Sequence, residues 1–385
     1  MSAGAWHVVT GEYPPDRGGV GDHTRVLAAA LAADGAEVHV WTGGDSTGTL
    51  GADGARVHRA AGAWDGAGLR RLSAEMDAFA SPRRVLVQYA PRAYGRNGMN
   101  LGFCRWVHGR RGAGDDVRVM FHEPFFPFGR QALRRNALAA VNHAMAAVLL
   151  RAACRAYVSI PAWEPMLRPL APGRLGRMRW LPVGSTIPRE DDDGAVDAIR
   201  AGLPGRDGGR PIVGHFGTYG DAVASLLAST LRRIRRAEPE VVVLLLGDGG
   251  PGFADALTAV DACFRGRIVA PGYLSPRDVS LHLQACDVLV QPYPDGASSR
   301  RTTLMAGMAN GAAVVSTAGA LTEDDWSACP VPLAPAGDAD ALARAACDLL
   351  RDPAAAAEIG AAGRRFYDAR FSVRCALEVL GGEGV

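Results

Sequence analysis

No lysine occurs in the 385 residues, so every one of the 42 basic side chains is an arginine. That excludes a Schiff-base lysine and a Walker-type phosphate lysine, and it assigns any phosphate contact to guanidinium forks, which hold oxyanions bidentately. Net charge is nearly absent too, at +2 from 42 basic against 40 acidic residues. A chain so balanced has no broad basic footprint, and no nucleic-acid partner is expected. The seven cysteines, Cys104, Cys154, Cys263, Cys286, Cys329, Cys347 and Cys375, form no Cys-x-x-Cys pair. Zinc and dithiol chemistry therefore have no Cys-x-x-Cys pair to use, and most of these cysteines read as small buried apolar residues. No apolar run is long enough to span a bilayer, and residues 1–20 lack a basic start followed by an apolar stretch, so a cytoplasmic location without a transmembrane segment is expected. Internal repeats are absent as well.

What the chain does have is length, 48% hydrophobic residues, and glycine and proline (48 and 24) spread evenly along it. This is globular composition with many turns, and too much chain for one ordinary core. Strand-like apolar runs alternate with helical patterns almost from end to end, the mark of parallel sheets joined by crossovers. Strands are predicted near 7–10, 37–42, 85–89, 117–122 and 156–160, a long helix over 137–153, and a closing apolar run at 180–183. Arg189 to Gly194 and Pro204 to Gly209 are polar and turn-rich, as a linker or domain edge should be. A second alternation follows at 212–216, 241–247, 267–270, 288–291 and 313–316. Residues 352–380 read as helical with a break near Phe371-Ser372, and this segment is expected to cross back to the first domain. The fold class is α/β, with domains at 1–187 and 188–365 and a terminal helix in 366–385.

Between the first strand and first helix lies Tyr13-Pro14-Pro15-Asp16-Arg17-Gly18-Gly19-Val20-Gly21-Asp22-His23-Thr24. Glycines at such a junction leave backbone N–H groups bare at the positive end of a helix dipole, a candidate anion cradle. Gly19-Val20-Gly21 also opens the dinucleotide fingerprint, but its third glycine place holds Thr24. A plain connecting turn is the third reading.

In the second half come Gly214-His215-Phe216-Gly217-Thr218-Tyr219-Gly220, Leu246-Gly247-Asp248-Gly249, Pro271-Gly272-Tyr273-Leu274 and Gln291-Pro292-Tyr293-Pro294-Asp295-Gly296. Ser298-Ser299-Arg300-Arg301-Thr302-Thr303-Leu304-Met305-Ala306-Gly307-Met308-Ala309-Asn310-Gly311 ends the series. In that order, and together with the Tyr13 to Thr24 loop, His122-Glu123-Pro124 and Phe371-Ser372, these resemble glycosyltransferase family 4, the retaining GT-B enzymes, over nearly the whole chain. The resemblance implies two Rossmann-like, doubly wound domains facing a central cleft, with the C-terminal helix packed back on the first. It also implies an EC 2.4 hexosyltransferase without metal or cofactor, using a nucleoside-diphosphate sugar as co-substrate. The sugar would pass to a hydroxyl or other nucleophile of a small-molecule, natural-product or glycan acceptor.

Residue by residue, the resemblance puts His122, with Glu123, beside the donor sugar; His122 would act by position and charge at the reacting carbon. A histidine ending a strand is also often only structural. The family's two glutamates, seven residues apart, fall on Ser298 and Ala306; a frame begun at Asp295 puts Thr303 in the second place. Its arginine and lysine after the first strand of the second domain have no match either. The diphosphate is therefore assigned to Arg300, Arg301, Ser298, Ser299 and the backbone of Gly18, Gly19, Gly217 and Thr218. Ser298 reads as the N-cap of a helix with Arg300 and Arg301 in its first turn; cations there make sense under a bound anion. A surface pair bridged to Asp295, Asp324 or Asp325 is the competing reading. Gly247, Asp248, Tyr273 and Leu274, with Thr303, are assigned to base and ribose, against the simpler view of glycine turns beside a core. Asp22, Tyr89, Asn97 and Phe125 are the acceptor candidates. Two other functions stay open: an epimerase or pseudo-glycosidic coupling enzyme on the same scaffold, and a catalytically degenerate subunit of a transferase.

Overall fold

The computed structural model describes residues 5–44, 53–129, 133–173, 178–204 and 209–382. It divides into two compact units, Met1–Val183 with Val373–Val385, and Gly184–Ser372. The unit boundaries thus fall at 183/184 and 372/373, where the sequence suggested 187/188 and 365/366.

The first unit holds seven strands: β1 Trp6–Thr10, β2 Val38–Trp41, β3 Arg56–His58, β4 Arg84–Tyr89, β5 Asp116–Phe121, β6 Arg155–Val158 and β7 Met178–Trp180. They lie in the order β3-β2-β1-β4-β5-β6-β7, all parallel, so the winding reverses between β1 and β4. Helices α1 Gly19–Ala33, α2 Gly66–Met76, α3 Leu101–Gly112, α4 Leu133–Ala152 and α5 Trp163–Leu167 make the crossovers. Their starts are legible locally: Asp65 accepts from Ala67 and Gly68 amides, and Asn100 from Phe103.

One face of this sheet packs Trp6, Val8, Val38, Val40 and Leu86 against Leu27 and Leu31 of α1 and against Ala376 and Leu380. Those last two belong to the terminal helix, Val373–Gly381, so the chain's end completes the first unit's core. Arg118, fully buried on β5, fixes it: the guanidinium pairs with Asp116 at 2.7 Å, donates to the Leu380 carbonyl at 3.0 Å and lies 4.9 Å from the Trp6 ring.

Alternate residues carry a layer of aromatic rings. Trp41 Nε1 donates to His7 Nδ1 at 3.1 Å, His39 Nδ1 and His58 Nε2 lie 2.9 Å apart, and Trp41 stacks on His58 at 4.0 Å. Burial first, then the neighbouring His39, lowers His7 to about 3 and His58 to about 4, with Arg83 and Arg110 adding to the effect on His7 and Arg56 to that on His58. Both are neutral when folded. Unfolded, each binds a proton near pH 6.5, so stability is complete above that pH and is lost as pH falls toward 4. Melting temperature followed by circular dichroism should drop on acidification from pH 7 to pH 5, and a His7→Phe/His58→Phe variant should show a shallower drop.

The second unit's strands are β8 Ile212–Phe216, β9 Val242–Leu246, β10 Ile268–Gly272, β11 Val288–Gln291, β12 Val314–Ala318 and β13 Leu333–Pro335, in the order β10-β9-β8-β11-β12-β13. Every pairing is again parallel. Val213, Val243, Leu245, Val288, Val290 and Val315 form the buried sheet core, covered by Leu227, Leu231 and Ile234 and by Leu342 and Ala346. Strands such as Val242–Leu246 are apolar without alternation because both faces are covered. Helix Asp193–Gly202 occupies part of the expected linker, and residues 205–208 of that call lie outside the described residues. No described helix is long and apolar enough to cross a membrane.

Candidate functional site

In the first unit, the loop after β1 carries an anion of its own. The Glu12 carboxylate accepts from the Val20 and Gly21 amides at 3.0 and 3.2 Å, at the start of α1. Gly18, the N-cap, is extended, and a Cβ there would overlap that carboxylate. Beside the Gly18 and Gly19 backbone assigned to a diphosphate, the next two amides are therefore already taken from within the chain. An acidic side chain at a helix start satisfies orphan amides and the dipole together.

His122 follows β5 at the same edge and is 8% exposed. Its amide donates to the Tyr89 carbonyl at 2.9 Å, and its carbonyl accepts from Ser159 Oγ at 3.1 Å and Trp163 Nε1 at 3.0 Å. The ring's Nε2 meets Gln88 Oε1 at 2.6 Å, and the His23 ring stands edge-on at 5.3 Å. Burial, and then His23, holds His122 well below the ordinary histidine range, while burial takes His23 to about 4. Glu123 is exposed beside this neutral pair.

The acceptor candidates scatter. Tyr89 is fully buried, with burial pushing its phenol well up, because β4 is covered on both sides; it lines no open surface. Asn97 is exposed, at φ 56° in a tight turn. Phe125 is half-buried and stacked on His143 at 3.7 Å. Asp22 is half-buried on the first turn of α1; burial raises its carboxyl against the pull of Arg25.

In the second unit, β8 and β9 end side by side at glycines. The Gly217 amide donates to the Leu246 carbonyl at 3.1 Å, so it belongs to the sheet and is not free for a diphosphate, whereas Thr218 beside it is exposed. Gly247, at φ 122°, lies so close to the Gly217 carbonyl that a Cβ would overlap it. Asp248 is exposed, Tyr273 is 60% exposed after β10, and Leu274 is half-buried. Under Gly217 sits His215, whose Nδ1 donates to the Val290 carbonyl at 2.8 Å while its buried Nε2 has no partner among the described residues.

After β11 comes the arginine pair. Helix Thr302–Ala309 begins later than the sequence suggested: its N-cap is Arg301, and Ser298 lies in the preceding turn. The buried Ser298 hydroxyl has no partner among the described residues, whereas the Ser299 amide donates to Glu323 at 2.8 Å and its hydroxyl also bonds that carboxylate. The competing reading of the arginines holds for Asp295: Arg300 bonds one carboxylate oxygen at 2.7 Å and Arg301 the other. Asp325 pairs instead with Arg370. Burial works to raise the Asp295 carboxyl, but the two guanidiniums outweigh it and hold it below the usual range. Arg301 also lies 4.6 Å over the Tyr293 ring, whose phenol is 2.7 Å from the Thr303 hydroxyl. Two guanidiniums around one carboxylate retain one positive charge, beside an unpartnered hydroxyl.

Residues 210–352, which hold these second-unit groups apart from Arg370, match the family model for Glycosyl transferases group 1. The whole chain superposes on sucrose-phosphate synthase from Thermosynechococcus elongatus, with TM-score 0.74, 19% identity and 98% of each chain covered. It likewise matches Anabaena HepE (TM-score 0.68, 15% identity, 99% of each chain) and WaaG, a glycosyltransferase of lipopolysaccharide biosynthesis (0.66, 15%, 98% and 99%). At such identities the likeness carries the fold, and the matched segment carries the activity class. The chain is a glycosyltransferase with the GT-B fold. No curated protein matches it in sequence.

Three groups of this glycosyltransferase escaped the sequence reading. Glu12 stands just ahead of the glycine loop, where an acidic residue was the available signal. Gln88 and Glu323 carried none, since their partners are 34 and 24 residues away. Replacing Glu12 strips two amides at a helix start, and Glu12→Ala should lower stability by about 1 kcal/mol in urea unfolding. The variant should also gain melting temperature from added inorganic phosphate, which the unaltered protein should not.

Proposed function

We propose that this glycosyltransferase is a retaining, metal-independent hexosyltransferase of family 4 that works in the cytoplasm. It moves a sugar from a nucleoside-diphosphate sugar to a hydroxyl or other nucleophile of a small-molecule, natural-product or glycan acceptor. The observation that supports this best is Arg300 and Arg301 sharing Asp295 beside the unpartnered Ser298 hydroxyl. Guanidinium forks match phosphate oxygens, and such donors can follow the leaving phosphate as its charge develops. In retention the departing phosphate assists the incoming hydroxyl, so no strong protein base is required. His122, neutral and rigidly held, is the group we place beside the transferred sugar. Thr303, bonded to Tyr293, is the hydroxyl we assign to the ribose in place of a family glutamate.

The HepE structures are complexes with UDP, with UDP and glucose, and with UDP-glucose, which favours a uridine donor here as the first to test. Calorimetric titration with UDP, GDP, ADP and dTDP should show one preferred ligand, UDP, with affinity unchanged by EDTA. Arg300→Ala/Arg301→Ala should weaken that binding at least about tenfold, as expected for loss of charge-assisted hydrogen bonds, and should change melting temperature little. Unaltered affinity in the double variant would sink the assignment. Binding of none of the four would favour the degenerate-subunit reading.

A further inference from the structure

We propose that Gln88 is a positioning residue: its side-chain oxygen fixes His122 as the neutral Nε2–H tautomer, leaving Nδ1 as a lone-pair acceptor in the reaction. This rests on the placement of His122 beside the transferred sugar proposed above.

Strand pairing supplies the geometry. β4 and β5 run in register, Gln88 beside Met120 and Tyr89 beside Phe121, so Gln88 meets the residue that leaves β5. The His122 backbone is held at both ends, by the Tyr89 carbonyl on one side and by Ser159 and Trp163 on the other. What is left to fix is the ring's proton. A glutamine Oε1 can only accept, so at 2.6 Å it requires Nε2 to donate. A carboxylate in that place would draw a second proton onto the ring; an amide orients it without doing so.

The rest of the shell agrees. Gln88 comes from β4, Ser159 from the end of β6, Trp163 from α5 and His23 from α1; among these, His23 is the titratable group that acts on the ring. Burial, with His23, keeps His122 uncharged at neutral pH. Gln88 is itself fully buried, and its Nε2 finds no partner among the described residues. A buried amide with one end unsatisfied is a poor way to gain stability, and an apolar side chain of similar size would serve a core better. Among the described residues, its one side-chain hydrogen bond is the one that sets the His122 tautomer.

The first test is long-range proton–nitrogen NMR on the 15N-histidine-labelled full chain, with the His122 signal assigned by its loss in His122→Asn. The expected result is the Nε2–H tautomer, unchanged between pH 8 and pH 5. An Nδ1–H tautomer, or an imidazolium at pH 7, would overturn the proposal, and neither observation needs a substrate.

Two variants carry it into function, read as hydrolysis of UDP-glucose. Gln88→Leu should keep or raise the melting temperature, yet lower kcat by about tenfold or more with KM changed less than about twofold. Gln88→Glu should bring a His122 ionisation into the range above pH 5, visible in the same NMR signal and as a new limb in the pH profile. A destabilised Gln88→Leu with unchanged kcat would mark Gln88 as structural only. Failure of the unaltered protein to bind or hydrolyse the sugar nucleotide would instead count against the donor assignment, and the NMR result would stand apart from it.

Discussion

Every described strand in each unit runs parallel to its neighbours, and the chemistry of this glycosyltransferase hangs on that constraint. A parallel ladder cannot reverse by a hairpin, so each strand's exit loop arrives at one edge of the sheet, and only those loops can carry a site. Glu12 and the glycine loop follow β1, His122 follows β5, Gly217 follows β8, and the arginine pair follows β11. The strands themselves, buried on both faces, contribute only where a polar residue near their carboxyl end reaches a neighbouring loop, as Gln88 does.

At such an edge, charge is managed before any substrate arrives. The start of α1 offers bare amides, and Glu12 satisfies them internally. The turn after β11 offers guanidiniums, and Asp295 satisfies them only in part. The two cases differ in what is left over. The Val20 and Gly21 amides share one carboxylate oxygen, whereas two guanidiniums divide the two oxygens of Asp295 between them. This difference, rather than the presence of glycines, is the reason the phosphate site proposed above is put on the second unit's arginines.

How far the site was legible follows from the distance between partners along the chain. Strand runs and the break before the terminal helix are local properties, and the sequence pattern carried them; the caps Asp65, Asn100 and Ser275 are equally local but were not read. β3 and β13, three residues each, have too little pattern to be read. Ser298 has the composition of an N-cap, yet the cap lies three residues on because the intervening turn is held by Asp295, Glu323 and Thr317. Gln88 sits in an apolar strand as an isolated polar residue, and nothing in its neighbours announces His122. Long-range hydrogen bonds chose among readings that local propensity left level.

The absence of lysine then acquires a structural meaning. Asp295 has two oxygens, and each takes one guanidinium, an arrangement that needs planar, forked donors with directional N–H groups. An ammonium is a compact, strongly hydrated point charge, and a pair of them around one carboxylate would repel across a shorter gap without the fork to fix their angle. Arg301 also rests on the Tyr293 ring, a contact suited to a flat delocalised cation. Tyr293 in turn bonds Thr303 on the first turn of the helix that follows, so the orientation of the cation and the position of that helix start are set by the same ring. Replacing either arginine by lysine would keep the charge and remove the geometry, which is the part a diphosphate with several oxygens in fixed relation can read.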